Sequence, residues 1–540
     1  MKYFSKVYCM ISGLLFLLIS FSCNDSFLER QPLDKLSEED VWKDANLMQA
    51  FVNNTYAKVV DGFKNDYWPM CLCDEAYRRG RATYHTINQG QLTPVNMIPL
   101  NYWGLYYTTI TDCNIFLEKS SNGEYGSNQS LVDRMIGEMK FLRAYSYMRL
   151  IALHGGVPLI TKPFGLQDDF LLERNTYEEC VDFIVKELDE AADLLPLSYT
   201  GNDIGRATKG AALAIKSRTL LYAASPLHNE SGDKSKWEKA AAAAKVIIDL
   251  NVYSLYPQYK DVFLKPYNSE VIWDRPYNNQ IKVEHSLEQW FYPNGSGGYG
   301  QCHPIHNATE FFEMKSGLLP KDDPDFDPQN PYVNRDPRFY DCILYDGAPW
   351  QDREIETFLP GGADSNEGNE GWNATLTGYY PRKFVDESII KPTASNTGSS
   401  HWIYTRYGEI LLNYAEAMFY LGNEEECRKY LNMIRDRESV KMPHITDSGL
   451  KLEQRIRNER YVELFFEEHR FFDVRRWKIA METDNKPAYK VNILKDLATG
   501  KKTYEYVPFQ ERIFYEQNYL VPIPQSEIDK NPNLKQNPYY

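Results

Sequence analysis

The sequence predicts an all-α fold in which tetratricopeptide-like helix pairs form a curved scaffold, interrupted by a loop-rich insertion. Three observations carry this expectation. Apolar residues recur at three- and four-residue steps in several long stretches. Those stretches pair off at intervals of roughly 34 to 40 residues, the spacing of helical repeats that stack to bury their faces. Residues 251–401 break the pattern with Gly, Pro, Asn and Asp set between aromatics, which is loop chemistry.

The chain opens with "MKYFSKVYCMISGLLFLLISFSC". Lys2 and Lys6 precede an apolar run that is shorter than the roughly 20 residues a membrane-spanning helix needs, so residues 1–22 read as an export signal. Small Ser22 followed by Cys23 marks a bacterial lipoprotein signal, cut before the cysteine, whose sulfur is then acylated. An ordinary secreted protein with a chance cysteine is the alternative.

Residues 23–250 are expected to form an N-terminal helical part. The segment "LVDRMIGEMKFLRAYSYMRLIALHGGVPL" is helical in period and stops at Gly155, Gly156 and Pro158. In "TYEECVDFIVKELDEAADLLP", Thr176 with Glu179 predicts a capping box, and Pro196 predicts the end. "ATKGAALAIKSRTLLYAASP" and "SKWEKAAAAAKVIIDL" form a further pair. The loop-rich part follows at 251–401, and a C-terminal helical part with a tail is expected over 402–540. There, Leu421-Gly422-Asn423 splits two amphipathic halves.

Composition narrows the function classes. The chain carries 60 Lys+Arg against 75 Asp+Glu, a formal charge of −15, and no long basic run, which argues against nucleic acid. Its 40 tyrosines predict many rings in contact with water. Beyond Cys9 and Cys23, seven cysteines lie at scattered spacing, which predicts buried thiols rather than a disulfide framework.

The stretch "ELFFEEHRFFDVRRW" (Glu463 to Trp477) has the ingredients of an active site. Read as one helix, however, it puts Ile456, Val462, Phe465, Phe466 and His469 on one stripe, and Glu459, Glu463 and Glu467 on a solvated or salt-bridged one. His469, Arg470, Asp473 and Arg476 are therefore expected to tie helices together. Asp323, Asp325 and Asp327 step as calcium ligands do, but Pro328 and Asn334 stand where an EF-hand needs Gly and Glu, so a turn is expected. No hydrolase, phosphate-loop or dinucleotide motif is present, and no catalytic residue, metal or cofactor is singled out. What remains are aromatics in loops, suited to the apolar faces of sugar rings, with polar neighbours for the hydroxyls. The ligand-binding candidates are Trp68, Asp74, Arg81, Tyr84, Trp290, Tyr299, Trp350 and Trp372.

Seven motifs in order, "SCNDSFLERQP", "GEMKFLRAYSYMRLIALHGGVPLI", "GRATKGAALAIKSRTLLYAASP", "NRDPRFYDCIL", "YTRYGEILLNYAEAM", "IRNERYVELFFEEHRFFDVRRW" and "YLVPIPQSEIDKNPNLKQNPYY", resemble the SusD/RagB family of Bacteroidetes lipoproteins. One departure is Tyr539, where the family tends to have Gly. The resemblance implies four tetratricopeptide-like helix pairs with a loop-rich ligand-binding part. It also implies a lipid anchor on Cys23 at the outer face of the outer membrane, and glycan capture without hydrolysis for a SusC-like TonB-dependent transporter. Peptide capture, as in the RagB branch, and a glycan-active hydrolase are the alternatives.

Overall fold

The computed structural model describes residues 38–540 apart from 64–67, 122, 124, 126–127 and 279–283. The expected export signal and Cys23 lie outside the described residues. Six long helices precede the loop-rich segment: α1 (Ala45–Ala57), α2 (Trp103–Ser120), α3 (Gln129–His154), α4 (Tyr177–Leu194), α5 (Lys209–Ala224) and α6 (Lys234–Asp249). Four follow it: α7 (Tyr407–Tyr420), α8 (Glu424–Arg435), α9 (Gly449–Glu463) and α10 (His469–Arg476). From α2 to α8 each helix packs on the next, and α6 meets α7 directly. The segment between them thus leaves and re-enters the stack between two neighbouring helices. Among the described residues no helix is long and apolar enough to cross a membrane.

Local sequence explains the helix ends. Thr176 caps α4: its hydroxyl accepts from the Glu179 amide at 3.1 Å, and the Glu179 carboxylate accepts from the Thr176 amide at 2.8 Å. Helix α3 ends at Gly155, whose φ of 76° suits a residue without Cβ. Alanines 240, 241, 243 and 244 are buried on α6, where small side chains let neighbouring backbones approach.

Strands enter as short two-stranded sheets. β1 (Ala76–Arg78) pairs antiparallel with β3 (Cys302–Pro304), setting Arg78 opposite Cys302. β2 (Val271–Arg275) pairs with β4 (Trp402–Arg406), joining the two ends of the loop-rich segment. A longer hairpin, β5 (Ala488–Lys495) with β6 (Lys502–Gln510), lies near the C-terminus.

The structure corrects two expectations. Among the described tyrosines only Tyr267, Tyr515 and Tyr539 are exposed. About half of the rest are buried core rings, several with hydroxyls that reach a polar partner, as Tyr259 does on the Glu463 carbonyl at 2.7 Å, and the others keep partial contact with water. Residues 455–477 are also not one helix. Chain direction changes after Glu463, where Phe466 (φ 64°) and Glu468 (φ 67°) take left-handed conformations. The Phe466 amide at this break donates to the buried Glu75 carboxylate at 3.1 Å.

The acids expected on a helix surface are buried among guanidinium groups. Glu463 accepts from Arg338 at 3.0 Å, Arg406 at 2.8 Å and Arg437 at 2.6 Å. Burial raises the pKa of its carboxyl, but Arg437, Arg406 and Arg338 outweigh that and hold it well below the usual range. The tying role expected of the second half holds. Arg470 grips Asp74 at 2.6 and 2.7 Å, Asp473 bridges Arg460 and Arg476, and Arg476 reaches Glu416 on α7. All seven described cysteines are buried free thiols.

Candidate ligand platform

Three of the eight candidate residues come together. Leu287–Phe291 forms a short helix that carries Trp290, and the chain turns back so that the Gln301 amide donates to the Trp290 carbonyl at 2.8 Å. The turn sets Tyr299 against Trp290, edge to face, at 5.6 Å and 79°. Trp372 arrives from the 360–376 loop, its ring 6.4 Å from that of Tyr299. It is 68% exposed. Trp290 and Tyr299 are half-buried, so the group presents a stepped aromatic surface to solvent.

Backbone geometry places the rings. Gly300 (φ 46°) lies so close to the Trp372 turn that a Cβ would stand 2.5 Å from the Asn373 carbonyl oxygen. Only glycine lets these two segments meet there. His303 joins the same pair: its Nε2 donates to the Gly300 carbonyl at 2.5 Å, and its Nδ1 accepts from the Leu376 amide at 3.3 Å. That tautomer requires a neutral ring. Burial, helped by Arg79 and Arg78, pushes the His303 pKa down to about 3.

The other candidates occupy different roles. Trp350 is 1% exposed; its Nε1 donates to Ser296 Oγ at 3.0 Å and its ring packs on Tyr292. Trp68, 3% exposed, donates to the Gly62 carbonyl and lies under the Arg78 guanidinium at 4.2 Å. The Tyr84 hydroxyl is buried and accepts from the Trp68 amide. These three rings therefore support the platform from within. Asp74 is held by Arg470 and lines a separate cavity of about 300 Å³ with Glu310 and Phe311. Arg81 is exposed at the start of the Ala82–Asn88 helix, three residues beyond β1.

Sequence reasoning missed Arg79, Gln301 and Asn294. Arg79 donates from its backbone to the Gln301 carbonyl at 2.9 Å and from its guanidinium to the Ala374 carbonyl. Asn294 and Tyr380 hold the Trp372 loop from below: Asn294 Nδ2 donates to the Asn369 carbonyl at 2.7 Å, and Tyr380 donates to Asn294 Oδ1 at 2.6 Å. The available signal was the run of three arginines in four residues beside β1.

Two other concavities stand apart. One, of about 270 Å³, lies between α1 and β2, lined by Tyr56, Arg206, Trp273 and Tyr404. Another, of about 400 Å³, is lined by Asp323, Asp325 and Asp327. There Asp323 accepts from the Asp325 amide and Asp327 from the Gln329 amide, both at 2.8 Å, which is the turn chemistry expected. Among the described residues no cluster of three or more His, Cys, Asp or Glu is able to hold a metal ion.

Comparison with known proteins adds the lineage. A family model described as "SusD family" matches residues 269–540, half of the chain. The chain belongs to the SusD family. A second model, "Starch-binding associating with outer membrane", matches residues 26–221 of this SusD-family chain. SusD-like protein P38 of Formosa agariphila is 25% identical over 509 residues, spanning 89% of this chain and 93% of that protein. The crystal structure of a SusD-like protein from Bacteroides fragilis superposes with a TM-score of 0.81 at 29% identity, covering 95% of this chain and all of that one. A SusD-like carbohydrate-binding protein from the same species gives a TM-score of 0.79 at 26% identity, over 92% of this chain and 100% of that one. The all-α scaffold expected from the sequence is the one these SusD-like structures share.

Proposed function

We propose that this protein captures oligo- or polysaccharide on the Trp290–Tyr299–Trp372 platform and delivers it to a SusC-like TonB-dependent outer-membrane transporter, without catalysis. In this reading it is held at the cell surface by lipid on Cys23. Residues 23–250 and 402–540 form the scaffold, and 251–401 is the ligand-binding part. The observation that carries the reading is the exposed, tilted ring array. Pyranose rings have apolar C–H faces that stack on aromatic surfaces while their hydroxyls stay hydrated or meet polar rims. The carbohydrate-binding relative from Bacteroides fragilis supports the ligand class, and the description of the N-terminal family model supports the location. Hydrolysis of a glycosidic bond calls for two carboxyl groups flanking it. The nearby Asp364 is locked by Arg353 at 2.6 and 2.8 Å, which speaks for binding without cleavage.

Calorimetry of the mature chain against soluble oligosaccharides and mixed peptides, with product analysis, tests the proposal. Binding of a glycan class, lost in Trp372→Ala and without released sugars, is the expected result. Binding of peptides alone moves the protein to the RagB-like reading, and released sugars overturn the non-catalytic one.

A further inference from the structure

The platform is built from three chain segments tied by direct contacts. The Arg79 amide and the Arg78 guanidinium reach Gln301, and the Arg79 guanidinium reaches Ala374. These segments, 76–111, 289–309 and 371–385, are 36, 21 and 15 residues long and contain no Asp or Glu. Elsewhere the chain is acidic, with 75 Asp+Glu in 540 residues, a frequency that would place about ten acids in them. They do contain Arg78, Arg79 and Arg81. The three segments that meet at the platform thus contribute no carboxylate of their own to it.

Arg79 is the half-buried guanidinium of this join. Many buried arginines meet carboxylates, as Arg338, Arg406, Arg437, Arg470 and Arg476 do, and buried Arg335 and Arg512 spend several N–H groups on carbonyls. Its ionisable neighbours are the hydroxyls of Tyr380 and Tyr77 and the neutral imidazole of His303. Among the described residues its guanidinium has one acceptor, the Ala374 carbonyl, two residues beyond Trp372. The acids of the neighbouring loop are engaged elsewhere: Asp364 with Arg353, Glu367 with the Gly361 amide, and Glu370 with Asn373. A guanidinium with open N–H groups next to stacking rings matches a sugar that carries a planar carboxylate or a sulfate.

We propose that the platform selects anionic glycans, oligosaccharides bearing carboxylate or sulfate groups, and that Arg79 receives the anion. This rests on the glycan-binding reading above and narrows it to a substrate class.

The test uses matched probes on the mature chain. One pair is an oligogalacturonate before and after reduction of its carboxylates; the other is a carrageenan oligosaccharide before and after desulfation. At least one anionic member is expected to bind tightly, and about tenfold or more better than its neutral partner, from a charge-assisted hydrogen bond. Arg79→Gln lowers binding of the anionic member by more than that of its neutral partner and so removes that advantage, and Arg79→Lys, which keeps the charge, restores part of it. Raising salt weakens the anionic member selectively. Equal or tighter binding of neutral glycans that still depends on Trp372 overturns the anion selectivity and leaves the platform standing. Failure of every anionic and neutral glycan to bind overturns both.

Discussion

Residues 455–477 and the loops around Trp372 make opposite use of similar chemistry. The first region gathers Glu459, Glu463, Glu467 and Asp473 with arginines from across the chain, and every one of these acids meets a guanidinium or ammonium partner out of solvent. The second carries acids held by local contacts, Asp364 by Arg353, Glu367 by the Gly361 amide and Glu370 by Asn373, and leaves Trp372 open to water. Dense functional-looking side chains are here the scaffold, whereas sparse rings among glycines form the proposed site. A paired buried charge has no capacity left for a ligand, while an exposed ring retains its whole face.

The comparison breaks most visibly in the scaffold. Arg406 donates to Glu270, Glu463 and Glu467 with all partners buried. Arg406→Ala removes one cation from three buried carboxylates, each of which keeps another partner, and is expected to cost about 3 kcal/mol, the lower end of the range for removing one partner of a buried ion pair. Thermal unfolding checks it, and a melting point near wild type would mean that the cluster is not a structural centre. In the loops the expected pattern reverses. Trp372→Ala lowers glycan affinity about tenfold, as one lost stacking contact of roughly 1–2 kcal/mol implies, and leaves the melting point within about 1 °C because the ring is exposed.

Gly300→Ala probes the join between ring segments without removing a ring. A Cβ placed 2.5 Å from the Asn373 carbonyl, at positive φ, forces the segments apart. Affinity is expected to fall several-fold with a small loss of stability; unchanged titration would show that the spacing of Tyr299 and Trp372 is immaterial. A pH-dependent effect lies where the two regions touch. Burial raises the Glu75 carboxyl to about 8. Its contribution to stability is fully present below about 4.5, the unfolded value, and is lost as pH rises through about 8. Glu75→Gln keeps an acceptor for the Phe466 amide and never ionises. The melting point of the variant should therefore gain on wild type between pH 5 and pH 8, and a constant difference would contradict the buried, protonated carboxyl.

Local features were legible in the sequence because their causes are local. The Thr176–Glu179 capping box and the Leu421-Gly422-Asn423 break need only a few adjacent residues, and both are present. Trp290 and Tyr299 meet for the same local reason, being nine positions apart around one turn. Trp350 and Trp372 could not be told apart, since both sit in loops of similar composition. What separates them is Ser296, which takes the Trp350 Nε1 from 54 residues away. Glu463 read as solvated or salt-bridged, and its burial was not legible because its partners, Arg338, Arg406 and Arg437, come from other parts of the chain. Arg79 depends on a carbonyl 295 residues distant, a contact no spacing rule contains.

The most direct test of the central claim is the position of a bound oligosaccharide in a crystal of the complex. The account predicts a sugar ring stacked on Trp372 or Trp290, with its polar edge toward Arg79. A sugar bound instead in the cavity of about 270 Å³ between α1 and β2, with the platform empty, would contradict it.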